Sequence, residues 1–201
     1  MEETRPRAFQ ALEYDYGFGT IMRDEIGQSP EEIFDVVDDH DCVVGSLSRE
    51  AIHQQGLKHR AVHIFWLRAD GLLCLQRRSY AKDNSPGLIS TSCAGHLDSG
   101  ETYLKAAVRE FREEMGITIM NEQLREIDYV PAHRRLGNEF VRVYLLRGDF
   151  TCRLHKPEVD SVLWRTPREI EVWSSAQPEI FATPLLFLLE RPAIRRALGL
   201  G

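Results

Sequence analysis

The sequence predicts an α+β fold, a sandwich in which β-strands gather around one long helix, and three observations point to it. Short apolar runs bounded by turn-forming residues recur between residues 33 and 164. One amphipathic stretch interrupts them, with Leu104, Ala107, Val108, Phe111 and Met115 at helical spacing. Beyond residue 166 helical patterns take over, so strands come first and helices close the chain.

Each element has its own signal. Residues 1–32 have no clear period and read as an arm, part of which docks because Tyr14, Tyr16 and Phe18 are apolar for a solvated tail. Phe34–Asp38 reads as a strand, Asp39-His40-Asp41 as a turn and Cys42–Gly45 as the returning strand. Ser48 suits the N-cap of a short helix through His53. Ala61–Leu67 and Leu72–Gln76 flank Ala69-Asp70-Gly71, a hairpin signal, and Ile89–Ala94 forms a further strand. After the long helix, strands are expected around Glu126–Val130, Glu139–Leu146 and Ser161–Trp164. Thr166-Pro167 opens a helix with Thr as cap and Pro at the first position, and Pro184–Leu198 reads as apolar-faced helix broken at Pro192. The division is an arm (1–32), a main domain (33–166) and C-terminal helices packed on it (167–201).

Composition narrows the function. The 201 residues suffice for one domain with a substantial core, and the apolar (43%) and charged (28%) fractions are those of ordinary globular proteins. A net charge of −6 argues against a duplex nucleic-acid binder but leaves room for a local basic pocket. Cys42, Cys74, Cys93 and Cys152 form no Cys-x-x-Cys pair, so neither a zinc ribbon nor a redox motif is suggested. With no apolar leader and no membrane-length apolar run, the expectation is a cytoplasmic protein with no membrane association.

The most informative stretch runs from Gly95 to Ile117. Gly95 is followed after five residues by Glu101, then after seven by Arg109-Glu110-Phe111-Arg112-Glu113-Glu114-Met115-Gly116-Ile117. Glu110, Glu113 and Glu114 are helix neighbours, and crowding like charges costs a few tenths of a kcal/mol per pair. A hard divalent cation turns that cost into a binding site, since Mg²⁺ takes carboxylate oxygens and keeps waters and substrate phosphates as its other ligands. A bare Arg-Glu-x-x-Glu-Glu is more often a solvated helix face. The full pattern is far more restrictive, and it resembles the Nudix box of the Nudix hydrolases at every defining position. That resemblance implies a mixed-sheet α/β/α sandwich, one or more Mg²⁺ (or Mn²⁺) ions, and attack of water on a diphosphate linkage.

Outside the box, Arg49–His53, His59-Arg60-Ala61, Gln76–Ser79, Lys82-Asp83, Pro86-Gly87, Gly95-His96 and Asn138-Glu139-Phe140 are similar to the isopentenyl diphosphate isomerase branch of that superfamily. The similarity covers roughly residues 33–164. It implies that Arg49, Arg78 and Lys82 hold diphosphate, and that His53, His59, His96 and Glu139 belong to a His/Glu metal cluster. Two departures stand out. The isomerases' protonating cysteine is here Ala94, with Cys93 one residue earlier and so on the opposite face of a strand; the cluster's fifth ligand is Gly137. Conversely, the isomerases' degraded box is here complete.

The expectation is therefore a diphosphate hydrolase acting on a small-molecule diphosphate. Glu110, Glu113 and Glu114, with the Gly95 carbonyl, hold the metal; Glu110 is the first choice of base and Glu139 the second; Arg109 orients the carboxylates, and Glu101 supports the turn into the helix. Nucleoside diphosphate derivatives, nucleotides and isoprenoid diphosphates all stay open as substrates, and so does a homodimer. An isomerase-like enzyme and a non-catalytic diphosphate-binding domain are the alternatives.

Overall fold

The computed structural model describes residues 29–200. The expected docking of Tyr14, Tyr16 and Phe18 falls outside them. In chain order the elements are β1 (Ile33–Val37), β2 (Val43–Ser48), α1 (Arg49–Gln55), β3 (His59–Leu67), β4 (Leu73–Arg78), β5 (Ile89–Ser90), β6 (Cys93–His96) and α2 (Tyr103–Met115), followed by β7 (Leu124–His133), β8 (Glu139–Arg147), β9 (Val159–Arg165), α3 (Pro167–Ala176), α4 (Thr183–Leu189) and α5 (Pro192–Leu198).

A seven-stranded sheet forms the middle layer, with β1 and β2 as a separate antiparallel hairpin. β3 and β8 run parallel from His59↔Glu139 to Leu67↔Arg147, and the other pairings are antiparallel, so the sheet is mixed. Alternation along β3 sorts the two cores. Val62, Ile64 and Trp66 face α2 through Ala106, Ala107, Phe111 and Met115. Ala61, Phe65 and Leu67 face the C-terminal helices through Ile170, Leu185, Leu188 and Ile194. The α+β expectation holds, as a helix–sheet–helix sandwich.

Local chemistry sets the element ends. Ser48 Oγ accepts the Ala51 N–H and caps α1, and Thr166 with Glu169 forms a reciprocal capping box at α3 with Pro167 in the first turn. Pro192 starts α5. β7 runs further than the Glu126–Val130 read from pattern, carrying Pro131 at a register shift on an edge strand, where its missing donor is tolerated.

Two differences from the sequence reading shape the site. The β3–β4 hairpin pairs only at Leu67↔Leu73, after which β4 turns away to β9 and β5 while β3 takes β6. The single strand expected over Ile89–Ala94 is broken at Thr91-Ser92. There Ser92 Oγ accepts the Trp66 N–H and donates to the Cys74 carbonyl, so a side chain stands where backbone pairing would close the sheet. The fork between β3 and β4 is the floor of the site.

α2 is held over that fork by Phe111, which is fully buried and meets Trp66 edge-on at 5.7 Å between ring centroids. Phe111→Ala should cost about 3–5 kcal/mol of unfolding free energy by urea titration, with the midpoint lowered and the cooperative transition retained.

Candidate active site

β6 is four residues long and divides the site. Its Cys93 side chain is fully buried on the α2 face, and Gly95 lies against Glu110 of α2. Ala94 and His96 pair with His63 and Ala61 of β3, the strand that also supplies His59. One compartment, on the helix face, is lined by Lys82, Arg109, Glu110, Glu113 and Glu158; the other by Arg49, His53, His63, Arg78 and Glu139. Ala94, Gly95 and His96 border both.

In the acidic compartment the three box glutamates do not share one environment. Glu114 is fully buried: its Oε2 accepts from Gln76 Nε2 at 3.2 Å and from the Ala94 N–H at 3.3 Å. Its Oε1 has no hydrogen-bond partner and lies 3.6 Å from Lys82 Nζ. Glu110 is buried and takes Arg109 Nη1 at 2.8 Å. Glu113 stands at the rim, its side chain 42% exposed, between Arg109 and Arg112. Burial, opposed by Arg109 and reinforced by Glu114 and Glu158, pushes the Glu110 carboxyl up to about 8. Burial raises Glu114 too, against the pull of Lys82. A β-carbon on Gly95 would fall 1.9 Å from the Glu110 carboxyl carbon, so only glycine lets this backbone approach.

Arg109 binds across the loop-to-helix turn. It reaches Glu101 at 2.7 Å and 3.1 Å, the His96 carbonyl at 2.9 Å, and Glu110 and Glu113. These contacts tie the loop to the helix. Lys82, grouped with Arg49 and Arg78 in the sequence reading, lies in the other compartment: its ammonium is 2.6 Å from Glu158 Oε2. Sequence reasoning missed Glu158, which sits in the aperiodic run before β9, and Gln76, whose role appears only once β4 lies under α2.

In the second compartment His53, His59 and His96 bring one nitrogen each within 4.8 Å of one another. Glu139 Oε1 lies 3.1 Å from His96 Nε2 and 3.6 Å from His59 Nε2. His59 donates Nδ1–H to the Leu57 carbonyl at 3.0 Å, which leaves Nε2 as the lone-pair nitrogen turned into the cluster, and that atom has no hydrogen-bond partner. His53 Nε2 is likewise buried and unpartnered. Burial holds His59 near 4 and His96 well below the usual range, each helped by neighbouring imidazoles. His63, unforeseen as a site residue, is buried against Thr91 Oγ1 at 2.9 Å and also held near 4. Arg49 is paired with Asp83 at 2.8 Å. Arg78 donates Nε–H to the Asn84 carbonyl, and among the described residues no carboxylate lies within 4.0 Å of its guanidinium.

Ala94 lines the cavity and Cys93 does not. Burial pushes the Cys93 thiol well above its ordinary range, so it offers neither a thiolate nor an accessible acid. Gly137, with φ +71°, ends the turn before β8.

Residues 57–183 match the family pattern of the NUDIX domain. The chain belongs to the Nudix family. An isopentenyl-diphosphate Delta-isomerase from Serratia proteamaculans is 34% identical over 163 residues, covering 80% of this chain and 90% of that one. An uncharacterized Nudix hydrolase from Nostoc sp. is 33% identical over 143 residues, covering 71% and 85%. The crystal structure of DR0079 from Deinococcus radiodurans superposes with a TM-score of 0.63 at 30% identity, covering 72% of this chain and 90% of that one. The protein is thus a Nudix hydrolase with isomerase-named relatives, and no helix among its described residues is long and apolar enough to cross a membrane.

Two measurements probe this geometry. Glu110 has an ordinary value near 4.5 and a folded value near 8, so the folded state holds an extra proton between them. Its contribution to stability is full below about pH 4.5 and is lost as pH rises towards 8. The loss is about 1.4 kcal/mol for each pH unit crossed in that window. Metal-free Glu110→Gln should therefore melt higher than the wild type at pH 8 and no higher at pH 5; equal gains at both would place the strain elsewhere. Gly95→Ala should fold yet expel the Glu110 carboxylate, weakening divalent-cation binding by calorimetry at least tenfold, or about 1.4 kcal/mol.

Proposed function

We propose that this Nudix hydrolase cleaves the diphosphate linkage of a small organic diphosphate, using Mg²⁺ or Mn²⁺. The observation that supports it most is the buried Glu110–Glu114 pair beside Gly95, with one Glu114 oxygen lacking a hydrogen-bond partner. Two buried carboxylates of one sign, both pushed towards protonation, form a donor set that fits a hard divalent cation. Glu110 and Glu114 would hold it, with Glu113 at the rim and the Gly95 carbonyl alongside. Once bound, the cation supplies Lewis acidity to phosphoryl oxygens and acidifies the water it touches.

The rest of the work falls to the chain. Glu110 is the first choice to take the proton of the attacking water, because its carboxylate lines the acidic compartment beside Gly95. Glu139 is the second, though it faces the other compartment. Arg49 and Arg78 hold phosphate oxygens, guanidinium matching them in a planar fork. Lys82 keeps Glu114 and Glu158 charge-balanced.

The isomerase-named relatives give a second reading some weight, and the cluster of His53, His59, His96 and Glu139 fits a transition metal, with Nε2 of His53 and of His59 lacking hydrogen-bond partners. Proton shuffling at carbon also needs an acid at the cavity wall, where this chain has Ala94.

Phosphate release from a diphosphate panel, with and without Mg²⁺ or Mn²⁺, tests the proposal. Glu114→Gln should lower turnover a hundredfold or more, about 3 kcal/mol of transition-state stabilisation. Arg78→Ala should raise KM with kcat changed much less, whereas Glu110→Gln should cut kcat at nearly constant KM. Isomerisation of isopentenyl diphosphate above a no-enzyme control, without phosphate release, would overturn the hydrolytic reading.

A further inference from the structure

Gln76 closes the buried run of β4 and is its polar member. Leu73 and Leu75 face the core under the C-terminal helices and Cys74 faces the core under α2, so Gln76 follows on the α2 side by the period of two. β4 is paired on both sides there, with Ser90 of β5 and Val162 of β9, and the backbone that carries Gln76 is held. The amide nitrogen of Gln76 donates to Glu114 Oε2 at 3.2 Å, while its own Oε1 is buried with no hydrogen-bond partner. A side chain that only filled this space would be better apolar, since a buried unpaired carbonyl is a net cost. Turned over, the amide would set its carbonyl oxygen against a carboxylate oxygen. What the observed orientation secures is the donor on Glu114.

Building on the metal-dependent reading, we propose that Gln76 is a positioning residue that fixes Glu114 as a one-oxygen ligand and so sets which divalent cation the site accepts. The terminal torsion of a glutamate is soft and leaves the carboxylate plane undetermined. Oε2 of Glu114 takes two donors from fixed places, Gln76 Nε2 on β4 and the Ala94 N–H of β6 at 3.3 Å, and together they set that plane. Oε1 is the oxygen left without a hydrogen bond, 3.6 Å from Lys82 Nζ. Mg²⁺ and Mn²⁺ suit octahedral sites of single oxygens, whereas Ca²⁺ takes more ligands and readily accepts both oxygens of one carboxylate. A carboxylate whose second oxygen is already engaged by protein donors therefore favours the smaller ions. The Ala94 donor belongs to the backbone and is open to any residue at that position; the Gln76 donor depends on the side chain.

The test reads ion binding by the substrate-free protein. Mn²⁺ is followed by electron paramagnetic resonance of the free ion, and Ca²⁺ by its displacement of Mn²⁺. Gln76→Met keeps the length of the side chain and removes the donor. It should weaken Mn²⁺ by about tenfold or more, the usual loss when the partner of a metal ligand is removed. Ca²⁺ should weaken less, so that the preference for Mn²⁺ over Ca²⁺ falls. Undiminished Mn²⁺ affinity overturns the role, and so do equal losses for both ions, which a merely loosened fold would give. If Gln76→Met does not fold, the wild type decides by NMR with Mg²⁺ bound. The Gln76 side-chain amide protons should then exchange with solvent far more slowly than those of exposed glutamines, and exchange at the exposed rate overturns the role. Wild-type protein that takes up no Mn²⁺ removes the metal site and the role of Gln76 with it. Phosphate release on the diphosphate panel is read separately. Turnover by the wild type with an unchanged ion preference in Gln76→Met overturns the positioning and leaves hydrolysis standing. A changed preference with no turnover supports the positioning and counts against hydrolysis.

Discussion

The contact of the Gly95 backbone with the Glu110 carboxylate is the constraint on which the site depends. It brings β6 under α2 closely enough that no β-carbon fits between them. The same strand exposes Ala94 and His96 to the opposite side, so one four-residue segment builds the wall of both compartments. Ser92 permits this by satisfying the Trp66 N–H and the Cys74 carbonyl where the sheet forks, which leaves the fork without orphaned backbone groups. The fold therefore opens a cleft between β3 and β4 with the Trp66 N–H and the Cys74 carbonyl both paired at the fork.

Burying acid beside acid is unfavourable, and the surrounding residues show how it is contained. Arg109 meets Glu101, Glu110 and Glu113 in a single fan and so pins the loop to the helix. Lys82, itself buried, balances Glu114 and Glu158. What remains is a Glu110 carboxyl still pushed up by burial and a Glu114 oxygen with no hydrogen bond. The histidine side is the complement: burial lowers all three imidazoles, helped by neighbouring imidazoles at His59 and His96 and by Arg49 at His53, and Nε2 of His53 and of His59 has no hydrogen-bond partner.

The hairpin β1–β2 contributes at a distance. Phe34 lies over His96, with 4.8 Å between ring centroids, and over His59 at 6.2 Å. Asp35 accepts from Ser99 Oγ at 2.6 Å and from the Gly100 N–H at 3.0 Å, and Asp41 accepts from Tyr103 and Tyr129 hydroxyls and from Arg60. Asp35 thus fastens the hairpin to the turn that leads into α2, Asp41 fastens it to α2, β7 and β3, and Phe34 closes one flank of the histidine cluster.

Much of this was legible in the chain because it is written in local periods. Spacing alone puts Glu110 and Glu114 one turn apart on α2 and Phe111 on its buried side; alternation alone sends Cys93 and Ala94 to opposite faces; Thr166-Pro167 and Pro192 mark helix starts through backbone chemistry that needs no partner. Other features depended on residues far apart in sequence, where pattern carries no information. The hairpin signal at Asp70-Gly71 was real, yet β4 left β3 after one pair because β9 and β6 compete for the same edges. Lys82 read as a phosphate clamp beside Arg78, four residues earlier, yet the turn between them places it against Glu114 and Glu158. Glu158 carried no signal, and Gln76 stood only within a stretch similar to the isomerases, with no role attached to it. The sequence by itself determined which groups could bind metal and attract phosphate, since that follows from residue type and helical spacing. Only the tertiary structure decided which carboxylates are desolvated and where the cations end up relative to β6, because burial and cross-strand neighbours are set by how distant segments meet.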